Sequence, residues 1–332
     1  MSLQTVPFGK TGLSMPRIGL GLAALGRPGY INLGHSEDLA ADYVVEAMMR
    51  RTHRLLDLAY QKGIRYFDTA RSYGKAENFL QKWLDTHQPA ADALHVGSKW
   101  GYTYTADWQV VAQVHEVKNH TIEVLQEQWK ASKTLQPYLK LYQIHSATFE
   151  SGVLENSAVL NELAKLKAAG VLIGLSVSGA QQAEVIEAAL MIRVDGVYLF
   201  DAVQATYNIL ESSTAYALEQ AAESGMGVII KEALANGRLT PRNQNATFES
   251  QKQALEELAK KYAVDIDAIA LAYVLGRPWA HLVLSGAATG RHLLSNLDAL
   301  SFQLEDAEIE HLASFAEPAK LYWQKRSDLK WN

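Results

Sequence analysis

Residues 64–100 read IRYFDTARSYGKAENFLQKWLDTHQPAADALHVGSKW and hold one complete structural repeat. Tyr66–Asp68 reads as a short strand, Glu77–Thr86 as a helix and Leu94–Lys99 as a second strand. Both strands are mostly apolar on both faces, as expected of a parallel sheet covered by helices. The same alternation continues in both directions. Strands are predicted at Ile18–Ala24, Leu139–His145, Leu172–Ser176, Val197–Gln204, Gly227–Lys231 and Leu282–Leu284. Helical patterns sit between them at Ser36–Gln61, His120–Leu135, Glu155–Ala169, Gln181–Ile192, Thr214–Ser224, Gln251–Tyr262 with Asp267–Leu275, and Arg291–Leu300. In the first of these, Leu39, Tyr43, Val44, Met48, Leu55, Leu58 and Ala59 recur at helical spacing. Ser36 stands at the N-cap position and Gly63 at the C-cap position of that helix.

Eight strands alternating with helices predict a single (β/α)₈ barrel over residues 1–332. Barrels of this kind run from roughly 200 to over 400 residues. Alternation alone also permits an open doubly wound sheet. No Pro/Gly/Ser-rich linker divides the chain. Outside the repeat, residues 1–16 read as a hairpin around Gly9-Lys10-Thr11-Gly12, and 303–332 as an acidic-capped helix and a tail.

The 332 residues are 48% hydrophobic, enough for a large core, and carry 31 basic against 36 acidic side chains, a net charge of -5. That balance gives no sign of the basic face a nucleic-acid groove would want, although a local patch can hide in a balanced total. Cysteine is absent, which removes disulfides, thiolate nucleophiles and Cys-ligated metal. No run approaches the roughly 18 apolar residues of a membrane span. The N-terminus lacks the apolar core of a signal peptide. A cytoplasmic location is expected.

Gly19, Gly21 and Ala24 spell G-x-G-x-x-A after a strand, with Glu37 and Asp38 downstream. The dinucleotide fingerprint needs a helix starting there, so that the pyrophosphate meets its N-terminus. Leu25-Gly26-Arg27-Pro28-Gly29-Tyr30 cannot carry that helix. The motif reads as a tight strand exit into a long loop.

In a barrel, functional residues belong at the C-terminal ends of the strands. There the sequence places Asp68, Tyr73, Lys99, His145, Ser176 and Gln204. Each alone has an ordinary explanation: a turn cap, a packed loop aromatic, a solvated strand end, a satisfied core histidine. Nothing ordinary explains why they gather at one rim. Asp68, Tyr73, Lys99 and His145 also make chemical sense together. A phenol of ordinary pKa near 10 is a poor acid unless its phenolate is stabilised. An adjacent ammonium does that, and a buried carboxylate holds the ammonium in place. A histidine can orient a carbonyl oxygen. The set protonates an alkoxide forming from a carbonyl, and it contains no metal-ligand spacing. The hydride must come from elsewhere, which points to a nicotinamide.

The succession FDTARSYG, GSKW and YQIHS, after FGKTGL and GLGLAALG, resembles the aldo-keto reductases across nearly the whole chain. The resemblance implies a barrel binding NADPH, sometimes NADH, in an extended pose without a Rossmann domain. It implies Tyr73 as general acid/base, Lys99 and Asp68 as its tuning pair, and His145 as the carbonyl-orienting group. It further implies cofactor contacts from Gly21, Asp68, Ser176, Gln204, Lys231, Leu234, Gly237, Ala287, Arg291 and Asn296.

The pattern departs in three places. Ser176 is followed by Val177 where the family has Asn. Lys231-Glu232-Ala233-Leu234 stands where Tyr-Ser-x-Leu is common, and a structural Lys231–Glu232 pair is the other reading of that stretch. Gly286-Ala287 replaces Lys-Ser, leaving Arg291 as the obvious cation for a 2′-phosphate. For the substrate, Trp100 is expected at the pocket wall with Tyr102, Tyr104 and Trp108, and Tyr322 and Trp323 above it. The expected partner is a small carbonyl compound or sugar, the oligomeric state being open. The alternatives are an aldose (lactol) dehydrogenase working oxidatively, or a slow-turnover regulatory or binding protein on the same barrel.

Overall fold

The computed structural model describes residues 3–332. An antiparallel hairpin of β1 (Thr5–Pro7) and β2 (Ser14–Pro16) opens the chain. Then come β3 (Ile18–Gly21), α1 (His35–Asp38), α2 (Val45–Gln61), β4 (Tyr66–Asp68), α3 (Ala76–His87) and β5 (His95–Trp100). A second hairpin, β6 (Tyr102–Tyr104) with β7 (Glu116–Lys118), precedes α4 (Ile122–Ser132), β8 (Leu139–Ala147), α5 (Ser157–Ala168), β9 (Leu172–Val177) and α6 (Gln182–Leu190). After a short outer hairpin, β10 (Arg193–Val194) and β11 (Val197–Tyr198), the repeat resumes with β12 (Ala202–Thr206), α7 (Ala215–Ser224) and β13 (Gly227–Lys231). It ends with α8 (Glu249–Tyr262), α9 (Ile266–Leu275), β14 (Leu282–Ser285) and α10 (Gly290–Asp298), before α11 (Asp306–Ala313) and α12 (Ala319–Ser327).

β3, β4, β5, β8, β9, β12, β13 and β14 pair in that order, all parallel, and β14 closes on β3. This is the (β/α)₈ barrel expected from the alternation. Inward residues Tyr66, Leu141, Ala202, Ile229, Leu282 and Leu284 fill its centre, and Phe8 and Met15 of the N-terminal hairpin join them. Phe8 lies against Gly227, where any side chain would overlap its ring. That end is plugged, so the site opens at the other.

Three local expectations are corrected. The helix predicted over Ser36–Gln61 is two: α1 stops at Asp38, Ala40 and Ala41 take left-handed φ of 50°, and α2 begins at Val45. Ser36 is therefore no N-cap. The break is supported from outside, because Arg51 bonds the Leu39 carbonyl (2.9 Å) and Arg242 takes Asp38. The strand predicted over Val197–Gln204 is shifted to Ala202–Thr206. Val197 and Tyr198 instead pair with Arg193 and Val194 across Asp195-Gly196, both at positive φ, the Asp-Gly signature of a tight hairpin. The tail after α11 is helical again, as α12.

The loop after β3 presses on the loop after β4. Gly26 accepts from the Lys75 amide (2.7 Å), and a Cβ at Gly26 would overlap the Tyr73 carbonyl and sit 2.5 Å from Ala76 Cβ. Gly26→Ala should therefore cost about 1–3 kcal/mol by overpacking. A thermal melt at wild-type Tm would contradict this contact.

Candidate active site

The barrel's open mouth holds a cavity of about 740 Å³, within the size range of ligand pockets. At its floor Lys99, 1% exposed, joins the strand ends. Its Nζ forms a short ion pair with Asp68, donates to the Thr69 carbonyl (3.0 Å) and reaches the Tyr73 hydroxyl (3.3 Å). Asp68 also accepts from Gln204 Nε2 (2.9 Å), which ties β12 across the barrel to β4. His145 stands in an irregularity of β8 between Ile144 and Ala147, beside Ser146 at φ 51°. Such bulges re-aim side chains, and here the His145 ring meets the Tyr73 ring edge-on at 5.5 Å. Asp68, Tyr73, Lys99 and His145, the four that made chemical sense together, are thus brought together.

Their protonation follows from burial. Desolvation, with Lys99 and Arg27 nearby, pushes the His145 imidazole well below its ordinary pKa, so it is neutral. Its Nδ1 faces Ser72 Oγ at 3.4 Å. Desolvation and the Asp68 carboxylate push the Tyr73 phenol well above 10, with Arg27 opposing. The neutral phenol is the resting form.

The residues expected to hold a cofactor line the same cavity: Gly21, Asp68, Ser176, Gln204, Lys231, Leu234, Gly237, Ala287, Arg291 and Asn296. Gln204 is tied to the Tyr73 cluster through Asp68, and Arg291 and Asn296 belong to α10. Lys231 bonds Thr206 Oγ (2.7 Å) and lies 4.0 Å from Glu232. Burial, outweighing the Glu232 charge, lowers its pKa to about 8. Glu232 itself is held by Arg326 of α12 through Nε contacts of 2.9 and 3.1 Å. Burial works against its charge, but Arg326 and Lys231 bring its pKa down to about 2. Asn296 of α10 bonds the Ser285 hydroxyl (2.7 Å), and Arg242 is bound by both oxygens of Asp38. Arg291 has no ion pair among the described residues. This lining of amide, hydroxyl, ammonium and guanidinium groups offers the donors that the amide and phosphate groups of a nicotinamide dinucleotide would need.

Trp100 is corrected. Its neighbour Lys99 points inward, so in a strand Trp100 points outward. It is fully buried against the His120 ring (5.5 Å) and Leu125, away from the cavity. Tyr102 lines the cavity and Tyr104 and Trp108 do not; Trp323 lines it, whereas Tyr322 is buried on Asn208 (3.0 Å). Sequence reasoning missed Arg27, Glu116 and Trp331, all at the cavity wall. Their partners come from remote segments, so only the glycines around Arg27 hinted at a close approach. Among the described residues no group of His, Asp and Glu is arranged to hold a metal ion, and no helix is long and apolar enough to cross a membrane.

A closed barrel with this constellation at its mouth defines a class of oxidoreductase, and comparison with known proteins agrees. The sequence profile of the Aldo/keto reductase family matches residues 17–317. The chain belongs to that family and is an NAD(P)-dependent oxidoreductase acting between carbonyl and alcohol. The NADH-specific methylglyoxal reductase of Escherichia coli K12 is 24% identical, covering 95% of this chain and 99% of its own. The norsolorinic acid reductase of Aspergillus flavus is 25% identical over 80% of this chain and 71% of its own. An aldo-keto reductase of Bacillus halodurans, solved in its holo form, superposes with a TM-score of 0.72 at 20% identity, over 96% of this chain and 97% of that one.

Proposed function

We propose that this protein reduces a small aldehyde, ketone or sugar carbonyl, with Tyr73 as the general acid. One observation carries the reading: Lys99 joins Asp68 to the Tyr73 hydroxyl at 3.3 Å, on the floor of the cavity, beside a neutral His145. When bound, a reduced nicotinamide supplies the hydride. Tyr73 gives its proton to the carbonyl oxygen and draws a replacement from solvent. His145 donates a hydrogen bond that orients the oxygen, and Lys99 stabilises the phenolate left behind. Gly21, Ser176, Gln204, Lys231, Leu234, Gly237, Ala287, Arg291 and Asn296 would hold the cofactor. A cytoplasmic location, where reduced nicotinamide is available, belongs to the same reading. The test is a panel of aldehydes, ketones and aldoses with each cofactor, followed by nicotinamide absorbance. Turnover confined to aldose oxidation would replace this reading with a lactol dehydrogenase. No turnover would favour a binding protein.

NADPH is the proposed cofactor, because Arg291 of α10 lines the cavity and has no ion pair among the described residues, whereas Arg242 is neutralised by Asp38. NADH is the second reading, favoured by the carboxylates Asp38, Asp265 and Asp267 in the same lining. A charge-assisted contact is worth ~1.5–3 kcal/mol, so Arg291→Ala should weaken NADPH binding by about one to two decades. NADH binding should barely change. Equal weakening of both, measured as Kd, would assign Arg291 to the loop or the pyrophosphate.

A further inference from the structure

Arg27 sits in the loop after β3 and is 3% exposed. Its Nη1 donates to the Ser72 carbonyl (3.1 Å) and to Glu116 Oε2 of β7 (2.9 Å). Its guanidinium carbon lies 5.4 Å from the centroid of the Tyr73 ring, 5.3 Å from that of Tyr30 and 4.8 Å from that of Trp331. One buried cation therefore touches Tyr73, the residue before it, the β6–β7 hairpin and the C-terminal segment. That segment is fastened independently. Trp331 stacks on His115 of the hairpin loop (3.8 Å, 6°), and the Asn332 backbone pairs with Tyr30 through bonds of 3.1 and 3.2 Å. Hairpin, C-terminal segment and loop together wall the cavity over Tyr73.

We propose that Arg27 is a positioning residue, which seats the Tyr73 ring and makes its alignment depend on the β6–β7 hairpin and Trp331 closing around the cavity. The inference rests on the reading of Tyr73 as the acid/base. The physical case has two parts. A planar guanidinium donates to the Ser72 carbonyl and to Glu116 while its carbon lies over the Tyr73, Tyr30 and Trp331 rings, and an ammonium, a compact point charge, does not reproduce that stacking. Second, a cation over the ring favours the phenolate, and Glu116 works against it. The charged and titratable groups facing Tyr73 are Asp68 and Tyr66 from β4, Lys99 from β5, His145 from β8, Arg27 and Tyr30 from the loop after β3, Glu116 from the hairpin and Glu232 beyond β13. Removing Arg27 and removing Glu116 should therefore shift its titration in opposite directions.

The experiment is the pH profile of alcohol oxidation, which needs the phenolate, with kcat measured alongside. Arg27→Gln should move the inflection up by about one unit and lower kcat roughly tenfold to a hundredfold through misalignment. Arg27→Lys should restore the inflection but not kcat. Glu116→Gln should move the inflection down. Trp331→Ala should lower kcat while leaving KM for the cofactor unchanged. Inflections that stay put in both Arg27→Gln and Glu116→Gln overturn the proposal, as does wild-type kcat in Trp331→Ala. If Arg27→Gln does not fold, the Glu116→Gln and Trp331→Ala outcomes decide alone. Tyr73→Phe in the same assay separates the two levels. A surviving inflection there removes the acid/base reading, whereas its loss with unmoved Arg27 variants removes only the positioning role.

Discussion

Tyr73→Phe is expected to cut carbonyl reduction by roughly 10² to 10⁴-fold, the usual contribution of a positioned acid, while cofactor Kd stays near wild type. The substitution deletes one oxygen and keeps the ring. The ring's contacts with Arg27 (5.4 Å) and His145 (5.5 Å) therefore survive, so the loss reports the proton and not the loop. The pH dependence has a defined sign. Burial and Asp68 hold the phenol well above its ordinary pKa, so the protonated acid is present through the neutral range. Wild-type reduction should stay level there and fall only as pH rises through that raised value. Alcohol oxidation, which needs the phenolate, should rise over the same window. More than about a tenth of wild-type activity in Tyr73→Phe, well short of that range, would assign the proton to another group.

The barrel was legible because each repeat carries its own evidence: a short apolar strand, a turn and an amphipathic stretch. The strand-end residues were legible for a related reason, since a parallel barrel delivers the ends of all strands to one rim. Trp100 was misplaced because adjacent strand residues face opposite sides; with Lys99 turned toward Asp68 and Tyr73, that rule applied consistently would have sent Trp100 outward. The break between α1 and α2 could not be read locally. It depends on Arg242, more than two hundred residues away in sequence, binding Asp38. Arg27 was invisible for the same cause. Ser72, Glu116 and Trp331 reach it only in the folded barrel. The signal at Asp195-Gly196 was present, but the apolar run beside it was read as barrel strand.

Lys99→Met should have the second-largest effect, and it divides into two measurable parts. The ammonium is buried between Asp68, the Thr69 carbonyl and the Tyr73 hydroxyl. Without it Asp68, 2% exposed, keeps only its bond from Gln204. Removing one partner of a buried ion pair typically costs 3–5 kcal/mol, so Tm should fall clearly. Removing both partners is far milder, because no uncompensated charge stays buried. The double substitution Lys99→Met with Asp68→Asn should therefore regain much of the lost Tm. Activity should not return with it. The phenolate left by proton transfer has lost its nearest cation, so turnover should stay at least about a hundredfold down, within the range for a disabled acid. In the single variant the kinetic pKa of Tyr73 should also move upward, since a cation 3.3 Å from its oxygen is gone. An unchanged pH–rate inflection in Lys99→Met would refute the coupling, whatever the drop in rate. Recovery of activity with stability in the double variant would show that Lys99 serves only to neutralise Asp68.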